Sequence, residues 1–300
     1  MFEGFLEKFL LKYFGEYLKG IDKSNLSVAV WKGEISVKTV DINPEILKKL
    51  NFPFRMALGK IDSLLLKVPW NNLSGKPVEL TIENISIVLA VEDVATWYAE
   101  KEYLDFCEAL VGDIKNQVTK KLDEELEKQE KKSSFFEQIF DNLIINVKNI
   151  NIRVEFAVGQ KFCFGGILED FNIRSVDKSG NPVFIKRVHM SDPVTKKISF
   201  KNLVLYHDKN TVSEIEAKAI DEFIKKSSLD DFHKIFNLNL DLMFTLAPYD
   251  RKNPESAKSQ PIYLLETEVN CVELVFETSM IRDMTSLIDY FDHHKNTQLE

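Results

Sequence analysis

Along this chain, runs of alternating apolar residues repeatedly lose step by one position and then resume. The pattern is apolar, two mostly polar residues, apolar, one residue, apolar. It occurs around Thr39 (Val37, then Val40 and Ile42), Ser63 (Ile61, then Leu64 and Leu66) and Asn84 (Ile82, then Ile85 and Ile87). It returns around Asn149 (Val147, then Ile150 and Ile152), Asp170 (Leu168, then Phe171 and Ile173), Asn202 (Phe200, then Leu203 and Leu205) and Cys271 (Val269, then Val272 and Leu274). Successive strand residues point to opposite faces, so a one-residue slip sends the second apolar set to the other face unless the strand bends there. A sheet apolar on both faces satisfies the first reading. A β-bulge, in which two residues oppose one, satisfies the second, and short polar side chains such as Asn, Asp, Ser and Thr suit it by bonding nearby backbone.

The stretch "FNLNLDLMFTLAP" decides between them. Phe236, Leu238, Leu240, Leu242, Phe244 and Leu246 alternate with Asn237, Asn239, Asp241, Met243 and Thr245. This is an antiparallel strand with one apolar face and one wet face. The expected fold class is therefore α+β, mainly β: a curved antiparallel sheet with a single apolar face, with Glu83-Asn84 as a bulge.

Residues 1–20 place Phe2, Phe5, Leu6, Phe9, Leu10, Tyr13, Phe14 and Tyr17 at helical spacing, which predicts an amphipathic capping helix. Residues 25–42 read as a hairpin turning at Lys32-Gly33. Sheet is expected over 25–92 and 143–277, a helical insertion over 93–140 whose second half is nearly all charge, and a last amphipathic helix over 279–294. No linker divides the chain, so residues 1–300 are read as one module.

Composition excludes several classes. The net charge of −8 argues against a nucleic-acid partner, which clustered Lys and Arg would serve. Cys107, Cys163 and Cys271 are far apart and follow no metal or disulfide spacing, which suits a reducing, cytoplasmic setting. No apolar run reaches the length of a membrane span. Adjacent His293 and His294 point about 100° apart on a helix and read as a surface pair; no metal and no cofactor is expected. No paired nucleophile, base or carboxylate constellation is present, and an enzyme is not expected.

The helices are too few for the oily face. Eight strands of about ten residues make a sheet face on the order of 1,200 Å², whereas the three amphipathic segments cover on the order of 800 Å² at most. Several hundred Å² of aliphatic surface are left for a ligand, a partner or more sheet.

"MFEGFLEKFLLKYFGEYLKGIDKSNLSVAVWKGEISVKTVDI", "VPWNNLSGKPVELTIENISIVL" and "FDNLIINVKNINIRVEF" together resemble the N-terminal chorein domain of the vacuolar protein sorting thirteen family. Met1-Phe2-Glu3, Trp31-x-Gly33, Pro69-Trp70 with Pro77-Val78, and Asp141-Asn142-Leu143 carry the resemblance. It implies the first segment of a much longer lipid-transfer groove, with glycerophospholipids and organelle membranes as partners. It also implies peripheral attachment at membrane contact sites on the endoplasmic reticulum side, and a membrane-protein partner at the N-terminal end. The expected lipid-binding residues are Leu64, Leu66, Leu80, Ile82, Ile85, Ile87, Val147, Ile150, Ile152, Leu203, Leu205, Leu238, Leu240, Leu242, Val272 and Leu274. The competing reading is a non-catalytic interaction scaffold using the same apolar surface.

Overall fold

The computed structural model describes residues 15, 17–19, 33–50, 54–91, 138–156, 161–187, 192–209, 233–246, 263–267 and 272–297. The expected helix over 1–20 and the insertion over 93–137 fall outside them, apart from a two-residue strand, β1 (Leu18–Lys19). Then come β2 (Glu34–Ile42), helix α1 (Glu45–Leu50), β3 (Phe54–Lys67), β4 (Glu79–Val91), β5 (Ile144–Phe156) and β6 (Phe162–Val176). The chain continues through β7 (Val194–Asp208), β8 (His233–Leu246), β9 (Tyr263–Thr267) and helix α2 (Thr278–Thr297).

Among the described residues, nine strands form one sheet in sequence order, from β1 at one edge to β9 at the other. Gly33, at φ 73°, supplies the turn entering β2, and its carbonyl accepts the Val68 N–H at 2.6 Å. Between β6 and β7, the Asp177 carboxylate accepts the Ser179 and Asn181 N–H groups, both at 2.9 Å. These bonds hold that carboxyl below its usual range.

The sheet departs from the sequence expectation at one seam. β4 and β5 pair in parallel, Glu79 against Ile144 through Ala90 against Glu155; every other pair is antiparallel. Parallel neighbours need a long crossover, which gives the connection over 92–143 a topological role. Its last residues, 138–142, are helical, and the Asn142 amide fixes them. It donates to the carbonyls of Gln138 (3.0 Å) and Ile185 (2.9 Å) and accepts the Ile185 N–H at 2.6 Å. Beside it, Arg187 clamps Asp141 with two bonds of 2.7 and 2.8 Å.

The slips in the sequence mark a crease across the sheet. Four non-glycine strand residues have left-handed backbone: Thr39 (φ 54°), Asn84 (57°), Asn149 (55°) and Asn202 (50°). All four were positions where the apolar beat changes step. The device is not the expected bulge at Glu83-Asn84, however. Ser63 faces Glu83 and Ile61 faces Ile85, so Asp62 and Asn84 break step together and the register survives. The same holds across β2/β3, β4/β5, β5/β6 and β6/β7, where Thr39, Asp62, Asn84, Asn149, Glu169 and Asn202 fall in one transverse line. Asp62 and Glu169 lie one residue before the slips read around Ser63 and Asp170, and neither has positive φ. Along this line the register jumps between β7 and β8, from Phe200 against Leu240 to Leu203 against Leu238, a true bulge; away from it the register also shifts at Met56/Leu58 in β3 and at Leu205/Tyr206 in β7.

Candidate functional site

The crease keeps apolar side chains on one face. One cluster contains Val37 with Val40, Ile61 with Leu64 and Ile82 with Ile85, pairs three residues apart that an unbroken pleat would send to opposite faces. Register then carries the arrangement along the sheet. On one side of the crease the aligned positions are Val37, Leu64, Ile82, Val147, Phe171, Phe200 and Leu240. On the other they are Val40, Ile61, Ile85, Ile150, Leu168, Leu203 and Leu238. One row further out on each side reads Ile35, Leu66, Leu80, Ile145, Ile173, Ile198 and Leu242, and Gly59, Ile87, Ile152, Gly166, Leu205 and Phe236. No polar side chain interrupts these four rows. A left-handed residue in mid-strand bends the strand, so the rows become the floor and walls of a trough running across the strands.

The crease itself is polar. Asn84 donates to Asp62 at 3.2 Å, Asn149 donates to Asn84 at 2.9 Å, Asn202 donates to Glu169, and the Asn239 side chain accepts the Asn202 N–H at 2.8 Å. Amides do two jobs here: they tolerate left-handed φ better than other side chains, and they bond across the irregular ladder.

Burial divides the sixteen expected contact residues. Leu64, Leu66 and Leu80 are buried in the packed end near β2 and β3, and Val147, in β5, is buried as well. Ile82, Ile85, Ile87, Ile150, Leu203, Leu238, Leu240 and Leu242 are half-buried. Ile152 and Leu205, adjacent across Gly166, are each 38% exposed, and Val272 and Leu274 are 43% and 54% exposed. The last two do not extend a strand as expected: residues 272–277 have no strand assignment. A backbone bond from Val275 N–H to Ile235 O at 2.9 Å and the contact of His233 Nδ1 with Glu277 at 3.0 Å tie that segment to β8. The trough is therefore filled at its β2 end and increasingly open toward β8.

Sequence reasoning passed over part of the same surface. Ile145, Phe171, Ile173, Ile198, Phe200 and Phe236 stand in the same rows, on the same beat that selected their neighbours. Phe156, Phe162 and Phe164 pack at one rim, with ring centroids 4.9 and 5.8 Å apart for the first and last adjacent pairs, and Phe164 lies 5.1 Å from the His207 ring. His207 Nε2 meets the Asp283 carboxylate at 2.9 Å, both groups buried, so α2 is tied to that rim. At the opposite rim, Lys196 Nζ donates to the carbonyls of Asp141 (2.7 Å), Phe140 (3.0 Å) and Leu143 (3.4 Å). Burial pulls its ammonium down to about 8, with Asp141 opposing.

The outer face carries a buried ionic cluster near the phenylalanine rim. Arg153 reaches Glu155 and Asp208, both at 3.3 Å, and its guanidinium lies 5.7 Å over the Tyr206 ring. Gly165 makes room for that ring, since a Cβ there would sit 2.1 Å from Tyr206 Cζ. The neighbouring Cys163 thiol is pushed up to about 12 by burial, so it stays protonated and unreactive. Among the described residues no group of His, Cys, Asp and Glu could hold a metal ion, and no helix is long and apolar enough to cross a membrane.

Compared with known proteins, residues 1–299 match the VPS13-like family N-terminal region. The chain belongs to this family. Among its relatives, intermembrane lipid transfer protein VPS13A of Mus musculus is 29% identical over 221 residues, 70% of this chain and 7% of that protein. Intermembrane lipid transfer protein VPS13 of Chaetomium thermophilum is 24% identical over 325 residues, 98% of this chain and 10% of that protein. Intermembrane lipid transfer protein vps13F of Dictyostelium discoideum is 34% identical over 104 residues, 35% of this chain and 2% of that protein. The chain thus spans a tenth or less of the length of these relatives.

Proposed function

We propose that this chain is a non-catalytic lipid-transfer module in which glycerophospholipid acyl chains lie in the trough and headgroups stay in water at the rims. The observation that carries the reading is the set of apolar rows that cross the strands unbroken on one face and open toward β8. The relatives' name, intermembrane lipid transfer protein, supports it. Each buried methylene contributes about 0.8 kcal/mol, so two chains are held firmly with no single contact fixing them. Within the fold, the contact residues are the half-buried and exposed members of the rows; Leu64, Leu66 and Leu80 belong to the filled end, and Val147 is buried in the floor. The setting is peripheral attachment to organelle membranes at contact sites, on the endoplasmic reticulum side, with a membrane-protein partner at the N-terminal end.

The test changes Ile82, Ile152 and Leu240 together. None of the three is buried, so Ile82→Glu, Ile152→Glu and Leu240→Glu place carboxylates within reach of water, not inside a sealed core where each would cost several kcal/mol. The triple variant is expected to stay soluble and melt cooperatively while no longer extracting fluorescent phospholipid from liposomes. Aggregation of each single variant, or a folded triple variant that still carries lipid, would refute the reading. Native mass spectrometry separates the scaffold alternative, which predicts an apo monomer or tight homodimer in place of co-purifying phospholipid.

A further inference from the structure

On the outer face, opposite the trough, two recesses meet at one arginine. The larger, of about 360 Å³, is polar and holds Lys148, Arg174 and Lys201 with the single carboxylate of Asp170. The smaller, of about 240 Å³, is walled by Pro77, Ile144, Pro182, Val183 and Phe184, and Arg174 lines it as well. Alternation assigns the polar recess to the outer face, because Lys148 follows Val147, Arg174 follows Ile173 and Lys201 follows Phe200. The lipid reading leaves this face unused.

The cations are held available. Asp170 is the strand partner of both Lys148 and Lys201, yet neither lysine closes an ion pair with it, and among the described residues Arg174 bonds the neutral Asn172 amide, at 2.5 Å. The recess walls carry three positive groups and one negative in a chain of net charge −8; Glu83 stands beside Lys148 and Asp241, paired with Lys197, near Lys201, so the positive charge is concentrated in the recess and at Arg174. Thr81, Ser199 and Asn146 add neutral hydrogen-bonding groups to the same walls. In the apolar recess the polar members are spent: Asn142 is engaged with Gln138 and Ile185, and Ser175 with the Asp141 carbonyl. What it offers is proline and aliphatic surface, with Val183 43% exposed. Lys186 lies 6.0 Å from the Phe184 ring centre, which occupies the ring face that a nucleobase would need.

The geometry points to a docking site for a partner polypeptide segment carrying carboxylate or phosphate groups a few residues from one apolar side chain. The apolar anchor enters the proline-walled recess, and the anions meet Arg174, Lys148 and Lys201. A concave, two-part surface of this kind suits an anchored peptide better than a flat membrane. It lies on the face away from the trough, so partner binding and lipid occupancy are compatible.

The probes are fluorescein-labelled 12-residue peptides with four Glu and one Phe, the spacing between Phe and the nearest Glu varied from two to six, titrated by anisotropy at low salt against the whole 300-residue chain. At least one spacing is expected to bind, at least tenfold more tightly than its Glu→Gln or Phe→Ser counterpart, and to weaken as salt screens the charges. The double variant Lys148→Glu, Lys201→Glu, altering two exposed side chains, and separately Val183→Asp, should each lose tenfold or more while phospholipid extraction is unchanged. Parallel titrations use inorganic phosphate and phosphatidylserine-containing vesicles. The proposal is overturned if no peptide binds the folded chain, if peptide binding survives both variants, or if only vesicles or phosphate respond to them. Loss of lipid extraction in the double variant would assign this face to the lipid path instead.

Discussion

Thr39 holds a left-handed backbone conformation that glycine, asparagine and aspartate reach with little difficulty and a β-branched residue does not. Asn84, Asn149 and Asn202 occupy the equivalent crease positions, and Thr39 is exposed. Replacing it with Asn removes the β-branch without glycine's entropy cost, so Thr39→Asn should raise stability by about 1 kcal/mol in urea unfolding, given a left-handed penalty of roughly 1–2 kcal/mol. An unchanged midpoint would mean that neighbouring bonds already relieve the strain. Lys196 gives a pH signature. Its folded-state value is lowered to about 8, so between there and the ordinary lysine value the unfolded chain holds a proton that the folded chain has released. Stability from this group therefore rises with pH across that window and is flat below it. Comparing melting temperature against pH for the parent and Lys196→Met should show a steeper upward trend from pH 8 to 10 in the parent. The opposite ordering would mean that the three carbonyl acceptors outweigh burial.

At the scale of elements, adjacent glycines in β6 make a paired test. Gly165 faces the fixed Tyr206 ring, whereas a Cβ on Gly166 would meet Leu205 Cδ2 at 3.5 Å and the Val204 carbonyl oxygen at 4.0 Å, both ordinary contacts. Gly165→Ala should cost about 1–3 kcal/mol as overpacking, and Gly166→Ala should stay within about 0.5 kcal/mol of the parent. Equal effects in denaturant melts would mean that Tyr206 moves aside. The strands were readable because alternation is a local property: Phe236 through Leu246 announces its faces without reference to any other segment. The crease was readable in position but not in kind. Asn84 betrays itself by the slip around it, whereas whether its partner Asp62 slips too depends on register, which no single strand encodes. For the same reason β4 and β5 were expected to pair antiparallel; the choice of neighbour follows from the crossover over 92–143. Val272 and Leu274 kept the beat without joining the ladder. Apolar alternation is necessary for a half-buried strand and does not oblige one.

For the whole molecule, the trough's chemistry constrains what it can select. Its four central rows present no polar side chain, so recognition should follow chain number and leave headgroup nearly unread. In competition for binding, phosphatidylcholine, phosphatidylethanolamine and phosphatidylserine are expected to agree within about tenfold, or about 1.4 kcal/mol, with single-chain lysolipid far weaker. A larger spread among headgroups would place a polar contact at the rims that the rows do not contain. The register carries one more consequence. A chain lying along the trough meets the same apolar ridge once per strand, about every 4.8 Å, much as a bead meets the ribs of a washboard. Ribs of one kind set a friction and give it no sign. Net movement along such a surface is then set by the difference in lipid chemical potential between its two ends.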